Sequence, residues 1–303
     1  MTMTKTQRQI FKGTLYALVA GCLWGVSGIF GQIFFSTFHG DALWVTSFRL
    51  IVAGFFLLFI SAMQKPMNFF DIWKDKSNLP VFLVYTVFGV FSVQFSYYTC
   101  IQFSNSATAT ILQYISPVFI LLYFAIFHHK FPKKKSIFWV FLAMIGVFLL
   151  ITSGNVSKLS INPIALISGI LAAIAVVFYS LAPFNLIAKY SAISVAGWGF
   201  LVAGIGSNII HPVWQVNYKI SIESIALVLG IAIVGTALAF LAWLQAIKYV
   251  SPLVATVAAA TEPITSVLIS IPLFGLKLNF VTGFAMVLVV VSVILLSKAE
   301  GEG

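Results

Sequence analysis

The chain has 303 residues, enough on length alone for about two soluble domains, but 61% of it is apolar, only 8% is charged and its mean hydropathy is +1.07. A soluble domain is roughly 25% charged, so this chain lacks the polar surface to cover itself in water and reads as a polytopic membrane protein. The net charge of +10, from 17 basic and 7 acidic residues, then has to fit into loops, not onto a nucleic-acid-binding face, and Cys22 and Cys100 fall inside apolar runs that offer neither a disulfide framework nor a zinc site.

A bilayer core about 30 Å thick needs roughly 20 apolar residues per helix. In chain order, ten such windows are expected: Gly13–Phe35, Ala42–Ala62, Leu79–Ile101, Ala107–Phe127, Ser136–Ser153, Ile164–Pro183, Ser191–Ile210, Ile225–Ile247, Leu253–Phe274 and Phe280–Leu296. Lys5, Arg8 and Lys12 followed by Leu18 to Cys22 resemble a lipoprotein signal, yet the apolar run continues through Trp24, Ile29 and Phe34 as a span would. No extramembrane stretch is longer than Met63–Asn78, which leaves no room for a soluble domain.

Cytoplasmic loops are enriched in Lys and Arg. With the N-terminus inside, thirteen basic residues fall on the inner side (Lys5, Arg8, Lys12, Lys65, Lys74, Lys76, Lys130, Lys133, Lys134, Lys135, Lys189, Lys248 and Lys298) and three on the outer side (Lys158, Lys219 and Lys277), while Arg49 lies within a span. The asymmetry places both termini in the cytoplasm of a bacterial-type inner membrane.

Shifting the chain by 146 positions pairs Gly89 with Gly235, Ile101 with Ile247, Ala109 with Ala255, Thr110 with Thr256, Pro117 with Pro263 and Leu122 with Leu268. Five helices per half is an odd number, so the second copy enters the membrane upside down. The expected fold is all-α and integral to the membrane: ten transmembrane helices as two inverted five-helix repeats, residues 1–155 and 156–303, around a central cavity. Inverted repeats are a recurrent plan of secondary transporters.

On these residues the chain resembles the EamA branch of the drug/metabolite transporter superfamily. The resemblance rests on Gly21 to Gly25 in the first span, Phe48-Arg49-Leu50 in the second, Ser104 to Ala109 leading into the fourth, Ser116-Pro117 within it, and Tyr249 to Pro252 leading to Glu262-Pro263 in the ninth. That pattern usually carries a glutamate just after the fourth and ninth spans, where this chain has His129 and Leu276. The resemblance implies a cavity built largely from spans 1, 3, 4, 6, 8 and 9, and export of small metabolites.

No hydrolytic, redox or nucleotide-binding motif is present, so no cofactor is implied, and a driving force would come from a gradient. His128 and His129 lack neighbouring ligands for a metal. An ionisable group in hydrocarbon costs roughly 2.5–3.5 kcal/mol, which singles out Glu262, about 14 Å from the inner surface, and Arg49, about 10 Å from the outer one, at 1.5 Å per residue. Glu262 reads as a proton-coupling or substrate-amine site, or as a buried structural acceptor. Arg49 reads as its partner, as a carboxylate clamp, or as a side chain snorkelling outward.

Pro117 and Pro263 are helix-break candidates that would free the carbonyls of Gln113 and Ala259. Span 3 carries Gln94, Tyr97 and Tyr98 among several polar residues, and its repeat partner carries Thr236, Trp243 and Gln245. Trp24, Tyr114 and Tyr179 lie on other spans that the resemblance assigns to the cavity. Aromatic walls with a few polar groups suit a small amphipathic solute. Gly21, Gly25 and Gly28 form a smooth stripe on span 1, for close packing or for sliding contact. The expected function is a secondary transporter exporting amino acids or related compounds by alternating access, with protons as the candidate coupling ion. The alternatives are an intramembrane lipid-modifying enzyme and an uncoupled channel or scaffold.

Overall fold

A computed structural model of the chain describes residues 5–64, 70–129, 133–155, 162–275 and 279–301. Lys65, Lys130, Lys158, Leu276 and Lys277 lie outside the described residues. Every regular element among the described residues is helical, as hydrocarbon demands of a chain whose backbone must satisfy its own hydrogen bonds. In order they are α1 (Lys5–Phe38), α2 (Ala42–Gln64), α3 (Asp71–Lys74), α4 (Leu79–Val84), a π-helical stretch (Tyr85–Phe91), α5 (Ser92–Phe103), α6 (Ser106–Gln113), α7 (Ser116–Phe127), α8 (Lys134–Thr152), α9 (Pro163–Leu181), α10 (Phe184–Lys189), α11 (Ala192–Ile210), α12 (Ile222–Ala232), a second π-helical stretch (Ile233–Leu238), α13 (Ala239–Ala246), α14 (Pro252–Ala258), α15 (Thr261–Phe274) and α16 (Phe280–Gly301).

Eight helical runs among the described residues are long and apolar enough to cross a bilayer, against the ten windows expected; Phe280–Leu296 is a shorter apolar helix. The fifth and tenth windows fall on α8 and α16, which pack against each other. Helix starts follow the sequence's polar punctuation. Asn105 and Asn162 cap α6 and α9 through their side-chain oxygens, Ser221 and Ser224 form a capping box on α12, and Ser251 caps α14 with Pro252 in its first turn. Phe55, Phe59, Phe138, Phe284 and Val287 stay exposed, as side chains that face lipid would.

Two features separate this bundle from plain helices. The run Leu79–Phe103 widens into a π-helix at Tyr85–Phe91, and the run from Ile222 to Ala246 does the same at Ile233–Leu238. A side-chain hydroxyl closes each stretch on the carbonyl five residues back: Ser92 on Val87 and Thr236 on Ile231, both at 2.8 Å. In addition, α6 gives way to α7 through Tyr114 and Ile115, and α14 to α15 through Ala259 and Ala260. π-bulges occur frequently at functional sites, and interrupted helices supply polar backbone where a membrane protein needs it.

Candidate functional site

Both interruptions face one cavity. It is bordered by Trp24 and Ser27 of α1, Arg49 of α2, Gln94, Tyr97 and Tyr98 of α5, Gln113, Tyr114 and Ser116 around the α6–α7 break, Tyr179 of α9, Phe240 of α13, and Thr256, Ala259 and Glu262 around the α14–α15 break. Its volume is about 50 Å³, room for a few water molecules and not for a metabolite.

Glu262 is 6% exposed and sits in the first turn of α15, toward the positive end of that helix's dipole. Its Oε1 accepts a hydrogen bond from the Tyr97 hydroxyl at 2.8 Å and one from Thr110 Oγ1 at 3.2 Å. Among the described residues no hydrogen bond to Oε2 is recorded. Span 1 holds this turn closely. A Cβ added to Gly25 would stand 2.5 Å from the Glu262 carbonyl oxygen, while Ser266 Oγ donates to the Gly25 carbonyl and Thr261 Oγ1 to that of Leu18. Gly21 and Gly25 therefore pack closely against the segment that carries the carboxylate, while Gly28 faces Tyr97 and Ser106.

Arg49 is 2% exposed and does not snorkel. Nε donates to Thr236 Oγ1 at 2.7 Å, Nη2 donates to the Gly235 carbonyl at 3.4 Å, and the guanidinium carbon lies 4.3 Å from the centre of the Tyr98 ring. Nη1 has no partner although it is buried, and neither has Nε2 of Gln94 on the same cavity. Arg49 and Glu262 form no ion pair; the two recorded among the described residues are Lys74–Asp71 and Lys189–Asp75.

An aromatic wall completes the cavity, with Trp24 at 6.3 Å from Tyr179 and 5.2 Å from Phe240, centre to centre. Tyr114 is a tie: its hydroxyl donates toward the carbonyls of Thr256 and Val257 at 3.1 and 2.8 Å, joining one helix break to the other.

The structure thus brings Trp24, Arg49, Gln94, Tyr97, Tyr98, Gln113, Tyr114, Tyr179 and Glu262 to one place. It does not bring Trp243 and Gln245. Trp243 is fully buried behind the wall, 5.5 Å from Trp24 and 5.3 Å from Tyr179, and Gln245 borders a separate polar pocket with Ser61, Gln64 and Lys248. Pro117 and Pro263 each stand in the first turn of a resumed helix, where a missing N–H is an orphan anyway. The Ala259 carbonyl is not free, contrary to expectation, because the tightened turn gives it the Glu262 N–H at 2.9 Å. Sequence reasoning missed Ser27, Thr110, Thr236 and Thr256 as site residues, although Thr110 and Thr256 were already paired by the 146-residue shift.

Comparison with known proteins agrees with this architecture. The model of the EamA-like transporter family matches residues 11–152 and 163–298. The chain belongs to that family. It is 32% identical over 286 residues to the uncharacterized inner membrane transporter YicL of Salmonella typhimurium, covering 94% of this chain and 95% of that one. It is 27% identical over 262 residues to an uncharacterized transporter of Archaeoglobus fulgidus, covering 85% and 88%. A solved crystal structure matches with a TM-score of 0.75 over 95% of this chain and 97% of that chain at 18% identity, a likeness of fold. This EamA-family protein is a multi-pass membrane protein, and its kinship is with transporters, not enzymes.

Proposed function

We propose that this transporter moves small zwitterionic metabolites, amino acids and related amphipathic compounds, outward across a bacterial-type inner membrane by alternating access. One observation carries the reading: one cavity is lined by Glu262 and by Arg49 and Gln94, whose Nη1 and Nε2 are buried donors without a partner. Buried polar groups are almost always satisfied, and leaving a donor unmet costs about 1–3 kcal/mol. A solute carrying a carboxylate and an ammonium group would satisfy both ends, and Trp24, Tyr179 and Phe240 would cover its apolar part. At about 50 Å³ the cavity is closed around no such solute, so binding requires the helices to part.

Ten spans in two inverted halves fit this reading. Support comes from π-stretches at matching places in the two halves, from interruptions before Ser116 and Thr261, and from a family match that spans each half in turn. The orientation with both termini inside draws on the basic residues and on how ends meet: Lys12 lies 4.9 Å from the ring of Tyr249, and Lys189 reaches Asp75, all four assigned to the inner side. In this reading Glu262 receives the solute's ammonium group or a coupling proton.

The test is counterflow in proteoliposomes with the twenty common L-amino acids. Exchange of at least one, competed away by removing either its carboxyl or its amino group, is expected; exchange of none would overturn the substrate class.

A further inference from the structure

A charged clamp must be held still to discriminate, and Arg49 is held by a residue from the other half of the chain. Thr236 lies in the second π-helical stretch. Its hydroxyl donates to the Ile231 carbonyl at 2.8 Å, so the proton is committed to the end of α12 and a lone pair is left to accept from Arg49 Nε at 2.7 Å. An ordinary α-turn would lack this arrangement, because a threonine hydroxyl there reaches the carbonyl three or four residues back.

The neighbouring Gly235 makes the approach feasible. A Cβ there would collide with Ser27, whose hydroxyl bonds the Tyr98 hydroxyl at 2.8 Å, and Tyr98 in turn lies under the guanidinium. The guanidinium is therefore fixed along its Nε edge by Thr236, at Nη2 by the Gly235 carbonyl and across its face by Tyr98. Nη1 alone is left without a partner, on a side chain that borders the cavity.

We infer that Thr236 is a positioning residue for solute selection: its π-turn hydroxyl fixes Arg49 so that Nη1 is presented to the solute's carboxylate. This rests on the zwitterion reading above. Thr236 itself touches no solute. Ser92, the first residue after the first π-stretch, closes that turn in the same way, and among the described residues no hydrogen bond joins it to a cation, so the closure alone does not create the clamp.

The experiment compares, for the best-exchanged of the twenty common L-amino acids, the half-saturating concentration of the amino acid with the inhibition constant of its decarboxylated amine. Thr236→Val is expected to raise the former about tenfold to a hundredfold, the range for a hydrogen bond to a charged group, and to leave the latter unchanged. Thr236→Ser should restore the discrimination and Ser92→Ala should not disturb it. If Thr236→Val does not insert, Thr236→Ala serves the same comparison. The inference is overturned if the valine or alanine protein weakens amino acid and amine equally, or neither, while Arg49→Gln abolishes the discrimination. If Arg49→Gln leaves discrimination intact, the zwitterion reading fails and the inference with it.

Discussion

Arg49 and Glu262 border one cavity without pairing, each engaged by one of two consecutive tyrosines: Tyr98 lies 4.3 Å below the guanidinium, and Tyr97 donates at 2.8 Å to the carboxylate. Two opposite charges left apart in a low-dielectric interior attract strongly. Keeping them separate takes specific neighbours, here Thr236 for the cation and Thr110 with Tyr97 for the anion.

The first prediction concerns this separation. In a double-mutant cycle of Arg49→Gln and Glu262→Gln read by transport, the coupling should stay below about 1 kcal/mol. A direct buried pair would instead make each single loss severe, about 3–5 kcal/mol, with the double variant better tolerated than either. Rescue in the double variant would show that the pair forms during transport.

Replacing Glu262 by Gln keeps the shape and an acceptor for Tyr97 and Thr110 but removes the titration. Uphill export should be lost while counterflow survives, and the pH dependence of transport should flatten. Uphill transport with an unaltered pH profile would leave the carboxylate a structural acceptor.

At the opposite scale of burial, Lys189 and Asp75 pair at the bundle's end, with Ser77, Asn78 and Tyr190 also bonded to Asp75. Lys189 and Ser77 hold the Asp75 carboxyl well below the usual carboxylate range, and Asp75 pushes the Lys189 ammonium up. A depressed carboxyl stabilises above its unfolded value of about 3.9 and loses that contribution as pH falls through its folded value; a raised lysine contributes below about 10.4 and loses it as pH rises further. Asp75→Asn should therefore lower the melting temperature modestly between those limits. The difference should shrink toward pH 2 and in high salt, since Lys189 is exposed and Asp75 only half-buried. A difference independent of pH and salt would assign the effect to packing.

Topology is checked with single cysteines in a background lacking Cys22 and Cys100. Lys133→Cys should label from the cytoplasmic side. Lys219→Cys should label from outside, because its neighbour Tyr218 packs 4.8 Å from both Phe34 and Trp44, at the ends of α1 and α2 remote from Lys12. Labelling of both from one side would sink the inverted arrangement.

The sequence by itself determined the solvent, the helical class and most helix limits, because hydropathy and capping are local properties: Ala42, Phe127 and Ile210 end helices in the structure as they do in the apolar windows. It also singled out Arg49 and Glu262, since a charge in an apolar run is conspicuous without any neighbour. Only the tertiary structure decided which polar groups meet. Tyr97 and Glu262 are 165 residues apart and Arg49 and Thr236 are 187, and no pattern along the chain states which faces of those helices converge. Trp243 shows the limit most plainly. It matches Tyr97 at the 146-residue offset, yet it stands behind the cavity wall, because Trp24 and Tyr179 pack against it at 5.5 and 5.3 Å and take the cavity face themselves, a contact between distant helices that linear spacing does not record.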